Sequence, residues 1–309
     1  MKIKPNRILF IKLGERGKYE KDCIEKSQTL RLGYQELSNE LCLENNWDKV
    51  HNYFRYNENH NASVATSHTN QVKQFYTEDE KTLWVTFYAN KLWWCFSKPE
   101  ITLHNDNSKT RPVIGKWSDE DINGRKLLSS NISGKLLKTQ GFRGTICKII
   151  EHNYAVAKIN CEQTKEVIEV EEAMNNLKLK LISLIQNLQW KDFETLIDLI
   201  FRQSGWQRVS DKGKTQKTLD LELFAPVTGE KSIVQIKSQS DLNEFLKYEE
   251  DFVPMNDYHR FFYVVHSAKK SLENYNNPED SKTHLYLVDK IADLAIASGL
   301  VEWIIKKTS

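Results

Sequence analysis

Between residues 190 and 237 the hydrophobic period of the chain switches from 3.6 to 2, and this switch constrains the fold more than any other feature. Trp190–Gln203 places apolar residues at Phe193, Leu196, Ile197, Ile200 and Phe201. Those offsets form one buried stripe on an amphipathic helix. Gly205 supplies a stop signal. The stretch 219–224 (LDLELF) then alternates strictly, as a strand with one face in a core does. A turn, Pro226-Val227-Thr228-Gly229, leads into 232–237 (SIVQIK). The stretch therefore predicts a helix followed by a hairpin.

The same reading extends in both directions. Residues 166–188 contain no Gly or Pro and predict a long helix. After the hairpin come a helix over 242–248, strands over 260–265 and 284–288, and a final helix from about Lys290. This order predicts an α/β domain with a central mixed sheet flanked by helices. The first 150 residues read differently. Strands are expected at 7–13, 113–117 and 144–150, and 83–88 and 92–96 flank a short Ala89-Asn90-Lys91 turn as a hairpin. Residues 38–47 read as a short helix, and the polar, His/Asn-rich 55–70 as a loop. Short aromatic strands of this kind point to a small α+β barrel or a strongly curved sheet. The length of 309 residues accommodates two domains. The boundaries expected are 1–160 for the first, 161–188 for a helical linker, and 189–309 for the second.

Charge separates the two halves. The formal net charge is only +2, yet residues 181–309 carry −3 and residues 1–180 carry +5. Between Ser108 and Lys148 nine basic residues face three acidic ones, and four of the eight tryptophans lie between Trp84 and Trp117. The low total argues against coating of nucleic acid by bulk charge and leaves a local basic surface open. With 33 aromatic residues, the chain is not intrinsically disordered. No apolar run is long enough to span a membrane, and no secretory cleavage pattern follows Ile8–Leu13. Five widely spaced cysteines without a C-x-x-C, and histidines without an H-E-x-x-H, speak for reduced cytoplasmic thiols rather than a disulfide framework or a zinc hydrolase.

The alternation of the predicted hairpin also sorts its polar residues. Asp220 and Glu222 lie opposite the leucines of their strand, and Gln235 and Lys237 lie opposite Val234 and Ile236. A hairpin can thus gather Asp220, Gln235 and Lys237. A carboxylate and a neutral oxygen suit a hard divalent cation that keeps several waters. A nearby ammonium orients or deprotonates a metal-bound water, or stabilises charge developing on a phosphate.

Asp220, fourteen intervening residues, then Gln235-Ile236-Lys237, with Glu194 on the preceding helix, resembles the PD-(D/E)xK nuclease superfamily, in particular its Mrr-like restriction endonuclease branch. That branch often carries glutamine where the superfamily motif is acidic. The likeness runs through 185–305 and implies a restriction-endonuclease-like fold. It implies Mg²⁺, with Mn²⁺ as an alternative, bound by Asp220 and Gln235. It also implies that Lys237 acts on the attacking water and that Glu194 supports the metal site. Leu219 stands where the motif's name has proline, and Glu222 is an alternative second acid.

Residues 5–150, through HTNQVKQFY and the LWVTFYANKLWWCF hairpin, are similar to the PUA-like group, which includes EVE and YTH domains. The likeness implies a small barrel that holds a flipped, modified base against aromatic faces. Trp84, Trp93, Trp94 and Trp117 are the candidate faces, and the polar 67–71 segment a candidate source of base-edge contacts. Trp93 and Trp94 are adjacent on one strand and must point to opposite sides. Lys109, Arg111, Lys116, Arg125 and Lys126 are candidate phosphate contacts. Together these resemblances imply a modification-dependent restriction enzyme of prokaryotic anti-phage defence. Its partner would be double-stranded DNA, and it would act as a dimer or pair transiently on DNA. The alternatives are a nucleic-acid binder with an inert nuclease-like domain, and a defence nuclease switched by a ligand or partner without preference for modification.

Overall fold

The computed structural model describes residues 2–209, 220–278 and 281–309. The chain divides into two compact units, Met1–Thr164 and Lys165–Ser309. Each is a mixed assembly of helices around its own sheet. Among the described residues no helix is long and apolar enough to cross a membrane.

In the first unit the elements are β1 (Arg7–Ile11), β2 (Thr29–Leu32), α1 (Asn39–Leu43), α2 (Trp47–Asn52), α3 (Ala62–Thr77), β3 (Thr82–Tyr88), β4 (Lys91–Ser97), β5 (Thr102–Leu103), β6 (Lys109–Ser118), α4 (Gly134–Leu137), β7 (Ile146–Lys148) and α5 (His152–Ile159). The strands form one curled sheet in the order β2-β6-β4-β3-β1-β7, with β5 added beside β6. The β3–β4 hairpin turns through Ala89 and Asn90, both at positive φ, as a two-residue hairpin turn matching strand twist requires. The sheet buries both faces. Leu9, Ile11, Trp84 and Cys95 meet α3 residues on one side, and Ile8, Phe10, Leu83 and Val85 meet α5 residues on the other.

One expectation fails here. The 55–70 segment is not all loop, because α3 begins at Ala62. Asn61 caps it, its side chain accepting from the Val64 amide at 2.9 Å. Its buried face is Ala65, Thr69, Val72 and Phe75, spaced as one helical stripe but opening with a small residue and a hydroxyl. The Thr69 hydroxyl is satisfied by the Ala65 carbonyl at 2.8 Å, so it packs without an unmet polar group.

The second unit comprises α6 (Lys165–Gln186), α7 (Trp190–Gln203), β8 (Gln207–Arg208), β9 (Leu221–Ala225), β10 (Glu230–Ser240), α8 (Leu242–Phe252), β11 (Arg260–Ala268), α9 (Lys270–Glu273), β12 (Thr283–Tyr286), α10 (Val288–Ala297) and α11 (Val301–Thr308). The five strands form a mixed sheet in the order β12-β11-β10-β9-β8. β9 and β10 are antiparallel, whereas β10, β11 and β12 run parallel. The parallel step from β10 to β11 is made through α8, as a parallel connection requires. All five apolar residues of the α7 stripe are buried. They pack with Leu221, Leu223, Val234 and Ile236 on one face of the sheet, while Ile233, Phe261, Tyr263 and Val265 meet α8 and α9 on the other. The helix read as a linker is α6, and its C-terminal half belongs to this core through Leu181 and Ile185. Gly299, at positive φ, splits the expected final helix into α10 and α11. Leu219 lies outside the described residues.

Candidate active site

The register of the β9–β10 hairpin sets the site. Leu221 pairs with Val234, so the next step outward places Asp220 opposite Gln235. The Asp220 amide donates to the Val234 carbonyl at 3.2 Å, which anchors it just before β9. Its Oδ2 then accepts two hydrogen bonds at 2.6 Å, from Gln235 Nε2 and from the Ile236 amide. Asp220 is thus tied to both residues of the Gln-Ile pair.

Asp220 also forms one wall of a cavity of about 410 Å³, with Leu221 and Ile236 beside it and α7 across from it. The helix presents Glu194 and Asp198, one turn apart, with Thr195 beside them, while Phe193, Leu196 and Ile197 turn into the core. Lys191 and Arg208 add positive charge to the lining. Asp198 is a site residue that the sequence pattern did not single out. Its Oδ2 lies 2.8 Å from Arg202 Nε, and its buried Oδ1 has no partner. The i, i+4 spacing from Glu194 was the available signal.

Two features of this site are electrostatically unsettled. Burial pushes the Asp220 carboxyl above the usual aspartate range, against the opposing pull of the Ile236 amide, Lys237 and Gln235. Gln235 is only 7% exposed, and with its amino group committed to Asp220 its Oε1 has no partner. A buried acceptor in that condition costs about 1–3 kcal/mol.

Lys237 follows Gln235 on the same face of β10 and turns towards α8. Its Nζ donates to the Tyr248 hydroxyl at 2.8 Å, lies 3.0 Å from Glu244 Oε1, and sits 4.4 Å from the Tyr248 ring centroid. Burial works against its charge, yet the Tyr248 and Glu244 contacts outweigh that effect and leave its pKa above the ordinary lysine value. In this arrangement Lys237 is an ammonium and a hydrogen-bond donor, not a base. It does not line the cavity that holds Asp220 and Glu194. Glu222, the alternative acid, faces elsewhere, its Oε1 accepting from the Tyr258 hydroxyl at 3.3 Å. Among the described residues no group of three or more His, Cys, Asp or Glu side chains is placed to hold a metal ion.

The candidate nucleic-acid surface of the first unit needs correction at four positions. Trp84 and Trp117 are core residues, not open stacking faces. Lys109 and Arg111 are 1% and 0% exposed. Lys109 Nζ donates to the carbonyls of Tyr34 and Leu37 at 2.7 and 2.8 Å. Arg111 donates to those of Phe75, Glu78 and Lys98 at 2.7–2.8 Å. Their charge is spent on backbone oxygens and cannot reach a phosphate. The sequence did hold a clue, since Lys109 and Arg111 share a strand face with buried Val113.

Trp93 and Trp94 are half-buried and pack on different clusters, on opposite sides of β4 as alternation requires. Their indole N–H groups donate to the Tyr88 and Glu120 carbonyls. Lys116 and Arg125 are exposed, while Lys126 pairs with Asp119 and Glu120, each at 2.8 Å. In the 67–71 segment Gln71 is buried, and its Oε1 takes the Thr145 and Ile146 amides, fastening α3 to β7. Gly144 allows that approach, because a Cβ there would stand 2.5 Å from Gln71 Oε1. No family model, curated protein or solved structure matches this chain.

Proposed function

We propose that the chain is a Mg²⁺-dependent DNA endonuclease with a PUA-like unit that reads a modified base and a restriction-endonuclease-like unit that hydrolyses a phosphodiester bond. The observation that carries this reading is the cross-strand pair Asp220–Gln235 on the wall of a cavity faced by Glu194.

The donor chemistry fits a divalent cation. Rotating the Gln235 amide by half a turn exchanges its nitrogen and oxygen, which are sterically alike. The orphaned Oε1 then stands beside Asp220 Oδ2, and a cation between the two oxygens would satisfy them both. Asp220 and Gln235 would hold Mg²⁺, with Glu194 acting from the facing helix and waters completing the set. A bound Mg²⁺ supplies Lewis-acid polarisation of a phosphate oxygen and an acidified water. Lys237, charged, contributes by stabilising negative charge that grows on the phosphate in the transition state. Lys191 and Arg208 at the cavity place positive charge where a phosphodiester would enter. In the first unit, Trp93 and Trp94 remain as candidate stacking faces, and Lys116 and Arg125 as candidate phosphate contacts.

Incubation of the full chain with Mg²⁺ or Mn²⁺ tests the reading, using plasmid bearing methyl-, hydroxymethyl- or glucosylated cytosine and an unmodified control. Metal-dependent cutting of one modified substrate, lost in Asp220→Asn, is the expected result. Equal cutting of all substrates would replace base recognition with a switched defence nuclease. A second reading, a DNA binder with an inert catalytic domain, draws support from the engagement of Lys237 by α8. Intact plasmid together with a mobility shift would establish it.

A further inference from the structure

Glu244 in the first turn of α8 and Tyr248 one turn later hold the Lys237 ammonium from two directions. Glu244 occupies the position where a helix N-terminus favours a carboxylate. Asp241 caps the helix by accepting from the Glu244 amide at 3.1 Å. In the common reciprocal cap the glutamate would reach back to the capping residue. Here its Oε1 lies 3.0 Å from Lys237 Nζ instead. The side chain is 40% exposed, so solvent and salt weaken the pair and a stronger anion can displace it. Tyr248 behaves differently, because its ring lies against the ammonium as well as its hydroxyl.

We infer that the first two turns of α8 are a clasp, in which the Glu244 carboxylate stands in for a backbone phosphate on Lys237 until bound DNA replaces it, while Tyr248 keeps the ammonium in place. This rests on the nuclease reading and adds two positioning residues, together with a resting state in which Lys237 is held off the cavity. The physical basis is competition. A phosphodiester near Lys237 must take over an ion pair already made, so the pair lowers DNA affinity in proportion to its own strength.

The test is a binding cycle on the full chain in EDTA, which prevents cutting. The probe is a short fluorescein-labelled duplex, with and without hydroxymethylcytosine, read by anisotropy. Glu244→Gln is expected to tighten binding about three- to tenfold at low salt. In a Lys237→Met background, which keeps the apolar stem, the same change should have less than about a twofold effect. Glu250→Gln, which removes an exposed carboxylate from the same helix, should also stay within about twofold. Equal tightening in both backgrounds, an equal effect from Glu250→Gln, or no tightening at all would overturn the clasp and leave the nuclease reading standing. A wild-type chain that binds neither duplex would overturn the nuclease reading, and the clasp with it.

Discussion

The two units bury charged and polar residues to opposite ends. In the first, Lys109 and Arg111 are sunk into the core of a curled sheet, and their side-chain nitrogens donate to backbone carbonyls. In the second, half-buried Asp220 and buried Gln235 pair at the open end of a hairpin and are left short. The carboxyl titrates high, and an amide oxygen has no partner. A buried charge that is fully answered is part of the scaffold. A buried pair that is under-answered keeps capacity for something else, and perturbed groups in a cavity are where chemistry concentrates.

The comparison breaks most readily at Arg111. Arg111→Met takes the donor from one buried and two partly buried carbonyls and should destabilise the first unit by about 3–5 kcal/mol in denaturant unfolding. A variant that folds normally but loses DNA affinity would mean that Arg111 serves recognition after all. Lys109→Met, with two carbonyls at stake, should cost about 2–3 kcal/mol by the same measure.

On the other side, Gln235→Glu sharpens the contrast. A second carboxylate beside Asp220 should destabilise the metal-free second unit by about 1–2 kcal/mol at neutral pH, because two like charges cannot both ionise freely. Added Mg²⁺ should restore the loss, so the melting temperature should respond to Mg²⁺ more steeply than in the wild type. A variant indifferent to Mg²⁺ would argue against a cation at this position.

Asp220→Asn is expected to abolish cutting and, without metal, to raise stability slightly at neutral pH. The sign follows from the direction of the shift. A carboxyl whose folded pKa lies above its unfolded value favours folding while protonated, and that contribution is lost as pH rises through the folded pKa. Asparagine removes the half-buried charge and retains an oxygen for the Gln235 and Ile236 donors. The stability difference should vanish as pH falls below the ordinary aspartate value near ~4. Smallest of all, Lys116→Ala should reduce the salt dependence of DNA binding by about one unit of slope and leave folding unchanged.

Much of the second unit was legible because its signals are local. The α7 stripe reports its own burial, and the two-residue period of β9 and β10 assigns each side chain to a face. The pairing of Asp220 with Gln235 follows once the turn length is known. Elements whose burial depends on distant neighbours were not legible in the same way. α3 turns Ala65 and Thr69 inward, and nothing within its own span distinguishes those from surface residues. The two-residue β8 exists because β9 offers it a ladder.

By itself, then, the sequence determined the helix–hairpin framework, the separation of a basic, tryptophan-rich half from a slightly acidic one, and the face on which each hairpin residue lies. Period and composition suffice for those properties. Only the tertiary structure decided which charges are free. It sent Lys109 and Arg111 inward to carbonyls brought from α3 and neighbouring loops, turned Glu222 to Tyr258, and set Lys237 against α8. The reason is physical. The state of an ionisable side chain depends on what surrounds it in space, and those partners come from other elements, some of them tens of residues away, that no local pattern encodes.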